Sequence, residues 1–406
     1  MLFRSLYTDT LNLGSVNRDS GQLLFDGATG GVRLRDSSGA GRANVAIGTN
    51  NNGTGYTAEN IFNVAGHEAD LLIGSLRMGE YASRGGAWTN TFAFDQGVLD
   101  VTSVEMAIAC KAGTVGNSRL NIGGGTANLG SVSLSASTAT GTLTITGGTV
   151  TLGGGITKQP AGRGVLTLDG GTLDMQGNAI GSAGAKIDVV GLYAGTLRNV
   201  AEINGGDPIT KATAGTLTIE GNNGYSGNLT VAAGTLKYNG AYTGGGLIEV
   251  QGGATLMGTG TVGAVTLASG ATIKPGNSVG TLTTAGLSLD GGATLEYELQ
   301  ATSASDLILA GAVDLGGIGF SNFTFIPGLG FGNGVYTLIN GTSMTGLGAE
   351  TSGTIATIGD VTYTGTLSVD GGSQDLLLTV VPEPGKFGML GIMGLAGWLL
   401  RRRRES

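Results

Sequence analysis

The side chains that most often carry catalysis or hold metals are scarce in this chain of 406 residues, which has one histidine, His67, and one cysteine, Cys110. That pair of counts excludes a multi-histidine metal centre, a thiolate cluster and an intramolecular disulfide. Carboxylates, serine, tyrosine, lysine and arginine are left as the groups for acid, base or nucleophilic chemistry. His67 follows Gly66 in an expected turn. Cys110 ends the apolar run Val104-Glu-Met-Ala-Ile-Ala-Cys110 and reads as a small buried hydrophobe. Two carboxylate pairs have a spacing that permits joint action: Glu296 with Glu298, two apart on one strand face, and Asp169 with Asp174. Paired carboxylates hydrolyse glycosidic bonds. Here neither a basic residue nor a third carboxylate stands close by in the sequence, so both pairs read as charges on solvated strand faces. Gly258-Thr-Gly-Thr-Val-Gly263 has the glycine spacing of a dinucleotide-binding turn. With 80 glycines such spacing arises by chance, and no helix follows to receive a pyrophosphate. Asn52, Asn228, Asn322 and Asn340 each head an Asn-x-Thr triplet, which this composition also produces freely. The residues therefore assign no catalytic, cofactor-binding or metal site, and no cofactor is expected.

Charged residues make up 12% of the chain, 21 basic against 29 acidic, for a net charge of −8. The tail from Val381 holds Lys386 and Arg401 to Arg404 against Glu383 and Glu405, so the residues before it are more acidic still. A weakly charged, acidic body repels phosphate backbones and excludes nucleic acid as a partner.

Whatever positions these groups is built on glycine, at about three times its usual share. The glycines keep no three-residue period, which excludes collagen, and the 40% hydrophobic content argues against disorder. They punctuate strands. A short run opened by glycine recurs, as in Gly141-Thr-Leu-Thr-Ile-Thr-Gly-Gly148 and Gly164-Val-Leu-Thr-Leu-Asp-Gly-Gly171, with later copies starting at Gly195, Gly215, Gly234, Gly253, Gly270, Gly280 and Gly292. An interval near 20 residues is the signature of a solenoid. Leucine and isoleucine alternate with threonine, so each strand has one apolar face that only a stacked neighbour can bury.

The predicted fold class is all-β, a right-handed parallel β-helix ending in a short C-terminal transmembrane sorting helix. Residues 1–130 form irregular coils, with Trp88, Phe92 and Phe94 expected as an aromatic stack between adjacent coils. Residues 131–306 form the regular repeats, 307–380 a β-rich cap, and 381–406 a separate tail.

Two stretches carry a family resemblance. Gly215-Thr-Leu-Thr-Ile-Glu-Gly-Asn-Asn-Gly-Tyr-Ser-Gly-Asn-Leu-Thr-Val231 and its continuation to Gly258-Thr-Gly-Thr-Val-Gly263 and Ile273-Lys-Pro-Gly-Asn-Ser-Val-Gly-Thr-Leu282 resemble the autotransporter-associated β-strand repeats of passenger proteins. That resemblance implies a β-helical rod and no catalysis. The tail resembles a PEP-CTERM sorting signal in three parts: the motif Val381, Pro382, Glu383, Pro384; an uncharged stretch from Phe387 to Leu400 preceded by Lys386; and the cluster Arg401, Arg402, Arg403, Arg404. It implies recognition by a membrane-embedded exosortase and a Gram-negative host that makes exopolysaccharide, which is itself an expected partner.

The physics of the tail points the same way. As a helix, its apolar stretch would span about 21 Å, short of the roughly 30 Å hydrocarbon core. The arginines hold that end in the cytoplasm and leave the body outside. The expectation is an exported surface or matrix protein, structural or adhesive, at least transiently anchored in the inner membrane. A polysaccharide-active enzyme or a glycan-binding module is the alternative. Export also calls for an N-terminal leader, and Met1 to Thr10 read as strand instead, so a leader is expected upstream of Met1.

Overall fold

In Thr140–Ile145 the alternation of threonine with leucine and isoleucine buries Leu143 and Ile145 and turns Thr142 and Thr144 outward. Its partners repeat the pattern in register. A computed structural model of the protein describes residues 3–383 apart from 15–19, 26–29, 50–56, 82–85, 302–303 and 373, and it divides them into two compact units. One comprises residues 1–249 with 260–263. The other comprises 250–259 and the residues from Ala264 on.

The first unit is a stack of parallel coils with three ladders of inward side chains. One ladder runs through Phe62, Phe92, Leu120, Leu143, Leu166 and Val190. The second runs from Leu34 through Leu71, Leu99, Ala127, Val150 and Leu173 to Leu197, Ile219 and Tyr238. The third joins Val45, Leu76, Val104, Val132, Ile156, Ile180 and Ile203. Each residue on a ladder meets its equivalent one coil away, so the apolar strand faces merge into one core. The expected interval near 20 residues holds only for the later coils. A turn takes 30 residues from Phe62 to Phe92, 23 from Leu120 to Leu143 and 19 from Ile219 to Tyr238.

The glycine that opens a repeat has a steric cause. A β-carbon on Gly141 would lie 1.5 Å from the Leu134 carbonyl oxygen, and Gly148 closes the same run at φ +70°, which side-chain-bearing residues rarely adopt. Asparagine at a corner acts differently. Asn223 accepts from the Val200 N–H at 3.1 Å and donates to the Glu220 carbonyl at 3.0 Å, satisfying backbone groups that the bend frees. Nearby, the Tyr225 hydroxyl donates to the Asn228 carbonyl at 3.0 Å and its ring stacks on Tyr242 of the following coil.

The aromatic stack differs from the expected one. Trp88, Phe92 and Phe94 all point inward at alternate positions of Trp88–Phe94 and do not stack on each other. Phe92 stacks on Phe62, with centroids 4.8 Å apart and planes 4° from parallel, while Trp88 packs on Tyr81 at 4.8 Å. Residues two apart on a strand share a face, but it is the 4.8 Å spacing between coils that matches ring stacking.

In the second unit Thr255–Gly258, Thr272–Pro275 and Thr294–Leu299 continue a parallel ladder through Leu256, Ile273, Leu295 and Phe323. The pattern then changes: Gly334–Asn340, Asp375–Pro382, Val361–Val369 and Ser352–Ile358 form antiparallel pairs.

The expected terminal membrane helix is corrected. Among the described residues the helical element is the 3-10 turn Phe320–Asn322, and no helix is long and apolar enough to cross a membrane. The chain enters the motif as strand, with Val381 opposite Thr364 and Pro382 opposite Tyr363. Leu376, Leu378 and Val380 alternate inward along Asp375–Pro382, and that periodicity keeps the segment in the sheet beyond residue 380, where the tail was expected to begin. Glu383 still donates its N–H to the Thr362 carbonyl at 2.7 Å. Pro384, Lys386, Phe387, Leu400 and Arg401 to Arg404 lie outside the described residues.

Candidate functional site

One group of ionisable side chains is in the second unit, around one of the carboxylate pairs marked by the sequence. Glu296 and Glu298 project from Thr294–Leu299, and coil stacking supplies the neighbours that the local sequence lacked. Lys274, from the preceding coil, pairs with Glu296 at 2.8 Å. Asp306 packs beside them, 2% exposed. Its Oδ1 accepts from the Gly280 N–H at 2.9 Å and its Oδ2 from the Glu298 N–H at 2.7 Å, while its own N–H donates to the Glu298 carbonyl at 3.0 Å. A basic residue and a third carboxylate therefore do accompany the pair.

Burial raises the Asp306 carboxyl to about 6, against the two amides that favour its ionised form, and the charges of Glu298 and Glu296 push it up further. The same burial raises the neighbouring Tyr297 phenol, whose hydroxyl has no hydrogen-bond partner. A general acid must reach its substrate. Asp306 is enclosed by backbone and spends both oxygens on it. It ties the turn at Gly280 to the strand Thr294–Leu299.

The remaining candidates are dispersed. Asp174 accepts from Asn199 Nδ2 at 3.0 Å and stands opposite Arg198 in the ladder, while Asp169 lies opposite Ala194. They are not brought into one site. The His67 Nδ1 donates to the Ala65 carbonyl at 3.2 Å, and its ring leans on Phe25. Cys110 is half-buried, with Sγ 3.0 Å from Thr114 Oγ1. The glycines from Gly258 to Gly263 run from the end of one strand, Thr255–Gly258, into the next, Thr261–Leu267, so no helix N-terminus is there to receive a phosphate. Asn228 and Asn322 are engaged, accepting from the Leu247 N–H and donating to the Ala293 carbonyl, and Asn340 lies opposite Asp375. Asn52 is outside the described residues. Among those residues no group of three or more histidine, cysteine, aspartate or glutamate side chains can hold a metal ion.

Sequence reasoning passed over two buried polar features of the first unit. Asn60 and Asn90 are ladder partners, fully buried, joined at 2.8 Å, with Asn60 also donating to the Tyr81 hydroxyl at 2.7 Å and accepting from the Gly21 N–H at 2.8 Å. The signal was the equal placement of the two asparagines in their strands. Lys211 is fully buried and donates to the Ala233 carbonyl at 3.1 Å and to the Thr213 carbonyl, and burial lowers its pKa. No local signal marks it.

Many of the other charges bind one coil to the next. Arg33 pairs with Asp70 at 2.9 Å, Arg77 with Glu105 at 3.5 Å, and Arg198 with Glu220, each with its own ladder partner. Exposed pairs of this kind contribute at most about 1 kcal/mol each. Their chemical effect is larger: each charge is already held by an opposite one from the neighbouring coil.

No known family model matches the chain. It is 38% identical over 117 residues to the "Extracellular serine protease" of Serratia marcescens, covering 29% of this chain and 11% of that protein. It is 43% identical over 79 residues to the "Adhesin BmaC autotransporter" of Brucella suis biovar 1 (strain 1330), covering 19% of this chain and 2% of the adhesin. The chain thus spans a small part of the length of either curated relative. The parallel coil ladders are those of a β-helical protein, and the partial likenesses are to an extracellular protease and an autotransporter adhesin.

Proposed function

We propose that the chain is an exported structural or adhesive protein of the cell surface or extracellular matrix of a Gram-negative bacterium. It presents the outer side of its coils to polysaccharide as many weak, similar contacts. The observation that carries this reading is the use of charge: acid and base are taken up in pairs between coils, Lys186–Asp207 and Lys158–Asp188 included, and the enclosed carboxyl of Asp306 is tied to backbone. Outward threonines such as Thr126, Thr149, Thr172, Thr196 and Thr218, one per coil along a single ladder, offer hydroxyls at the strand spacing. Repetition of this kind converts weak contacts into retention by avidity. The net charge of −8 favours neutral glycans over acidic ones. The Pro-Glu-Pro segment is read as the sorting signal through which an exosortase-type enzyme processes the chain.

The test is retention of the purified chain on an immobilised neutral exopolysaccharide, with released sugar ends and cleaved casein measured in the same samples. Retention at low micromolar concentration without either product is expected. Release of reducing or unsaturated sugar ends, lost on Glu296→Gln, would replace this reading with the polysaccharide-active enzyme. Casein cleavage would favour a protease like the Serratia relative.

A further inference from the structure

The first ladder of the first unit breaks off after Val190. Arg163–Asp174 pairs with Val189–Arg198 from Val165 opposite Val189 to Leu168 opposite Leu192. On its other side, Val189–Arg198 is laddered only from Gly195 to Arg198, against Thr216–Glu220. The strand that follows in the next coil, Ile209–Lys211, pairs with Leu229–Val231 and belongs to a different sheet. No ladder joins Val189–Leu192 to Ile209–Lys211.

Along a parallel strand, the N–H and C=O of one residue point to one side and those of the next residue to the other. The Arg163 N–H donates to the Ala139 carbonyl at 3.2 Å, so Gly164 and Leu166 turn their groups toward Val189–Arg198, and with Leu166 opposite Val190 it is Val190 and Leu192 that direct theirs into the break. From the opposite side, the Ile209 N–H donates to the Asn228 carbonyl at 3.0 Å and the Lys211 carbonyl accepts from Ala232 at 2.8 Å. Thr210 therefore directs its N–H and C=O into the break as well. Pro208, in the same alternation as Thr210, has no N–H to offer, which explains why the ladder does not resume there. An open groove of about 550 Å³ occupies the position, walled by Val189, Val190, Pro208, Ile209 and Thr210.

We propose that this groove binds an extended, uncharged peptide segment, which adds as a short strand along the free edge of Ile209–Lys211 and takes the N–H and C=O of Thr210. Backbone groups alternating at the strand period match a peptide and not a sugar ring. No aromatic side chain lines the groove to stack on a sugar face. Its charges are already matched, Lys186 with Asp207 at 2.8 Å and Lys158 with Asp188 at 3.5 Å, so it selects for a neutral partner. The site is independent of the polysaccharide reading.

The probe is a fluorescein-labelled synthetic hexapeptide, Thr-Gly-Thr-Leu-Thr-Ile, titrated into the full chain and followed by anisotropy and by amide hydrogen exchange. Saturable binding is expected, with Thr210 among the newly protected amides. Thr210→Ala keeps the N–H and should bind within two-fold of the parent. Thr210→Pro removes it without touching the edge that pairs with Leu229–Val231, and should weaken binding at least ten-fold. Exchange protection at Leu229–Val231 reports whether that variant keeps its sheet. Absence of saturable binding, or protection elsewhere than the groove, would overturn the proposal, as would parental affinity in a folded Thr210→Pro variant. Displacement of the peptide by a neutral hexasaccharide would assign the groove to glycan instead.

Discussion

Replacing Trp88 with alanine should lower the unfolding free energy by about 3–5 kcal/mol, the range for truncating a large buried aromatic. Trp88 is 1% exposed and fills the space that Gly79 and Gly116 leave open: a β-carbon at either position would lie within 2.6 Å of its ring. Its indole nitrogen has no hydrogen-bond partner, so the loss is one of packing alone. Trp88→Phe should then recover more than half of the loss. In a stack where each coil contacts only its neighbours, the damage spreads through interface terms. Urea unfolding followed by far-ultraviolet circular dichroism should show either a shifted midpoint or an early transition for the affected coils. A midpoint unchanged within about 0.5 kcal/mol would mean that these coils are not packed around the indole.

A second large effect concerns pH. The Asp306 carboxyl is raised from 3.8 to about 6 in the folded chain, chiefly by burial, so the folded state holds its proton more tightly than the unfolded state. The stability this confers is fully present below the unfolded value and is lost as pH rises through about 6. At 1.36 kcal/mol per unit the whole effect is about 3 kcal/mol, of which about 2 kcal/mol is lost between pH 4 and pH 7. Asp306→Asn cannot ionise and should abolish that part of the slope, although it leaves one of the two amides, Gly280 or Glu298, without an acceptor. Denaturant midpoints at pH 4, 5, 6 and 7 measure it. The same slope in parent and variant would assign the pH dependence to another group.

Much of the coil stack is legible in the sequence because the ladder is written there directly. Leu143 and Leu166 stand at the same place in two successive glycine-opened runs, and they are ladder partners. The longer early coils hid the same arrangement: Phe62 and Phe92 are partners across 30 residues, with turns between them that no short period marks. Lys274 and Glu296 could have been paired from sequence, since their separation is close to one coil. Asp306 could not. Its partners Gly280 and Glu298 are 26 and 8 residues away, and only the closing of a coil brings both amides to its oxygens. The groove at Thr210 left a partial trace, Pro208, which reads as an ordinary turn residue until the register shows that it faces a strand edge. No described residue forms a membrane-crossing helix, and the stretch expected to form one, Phe387 to Leu400, lies outside them. Local alternation through Leu376, Leu378 and Val380 carried the strand on to Pro382.

Export of the coil stack to the outer surface is tested most directly by two-epitope labelling of intact Gram-negative cells that encode an exosortase. One epitope is placed ahead of the first described strand, Phe3–Tyr7, and the other at the C-terminus. The expected result is strong labelling of the N-terminal epitope on unpermeabilised cells, with the C-terminal epitope separated from it on a blot. Labelling of both epitopes only after permeabilisation, on one uncleaved chain, would contradict export and sorting together.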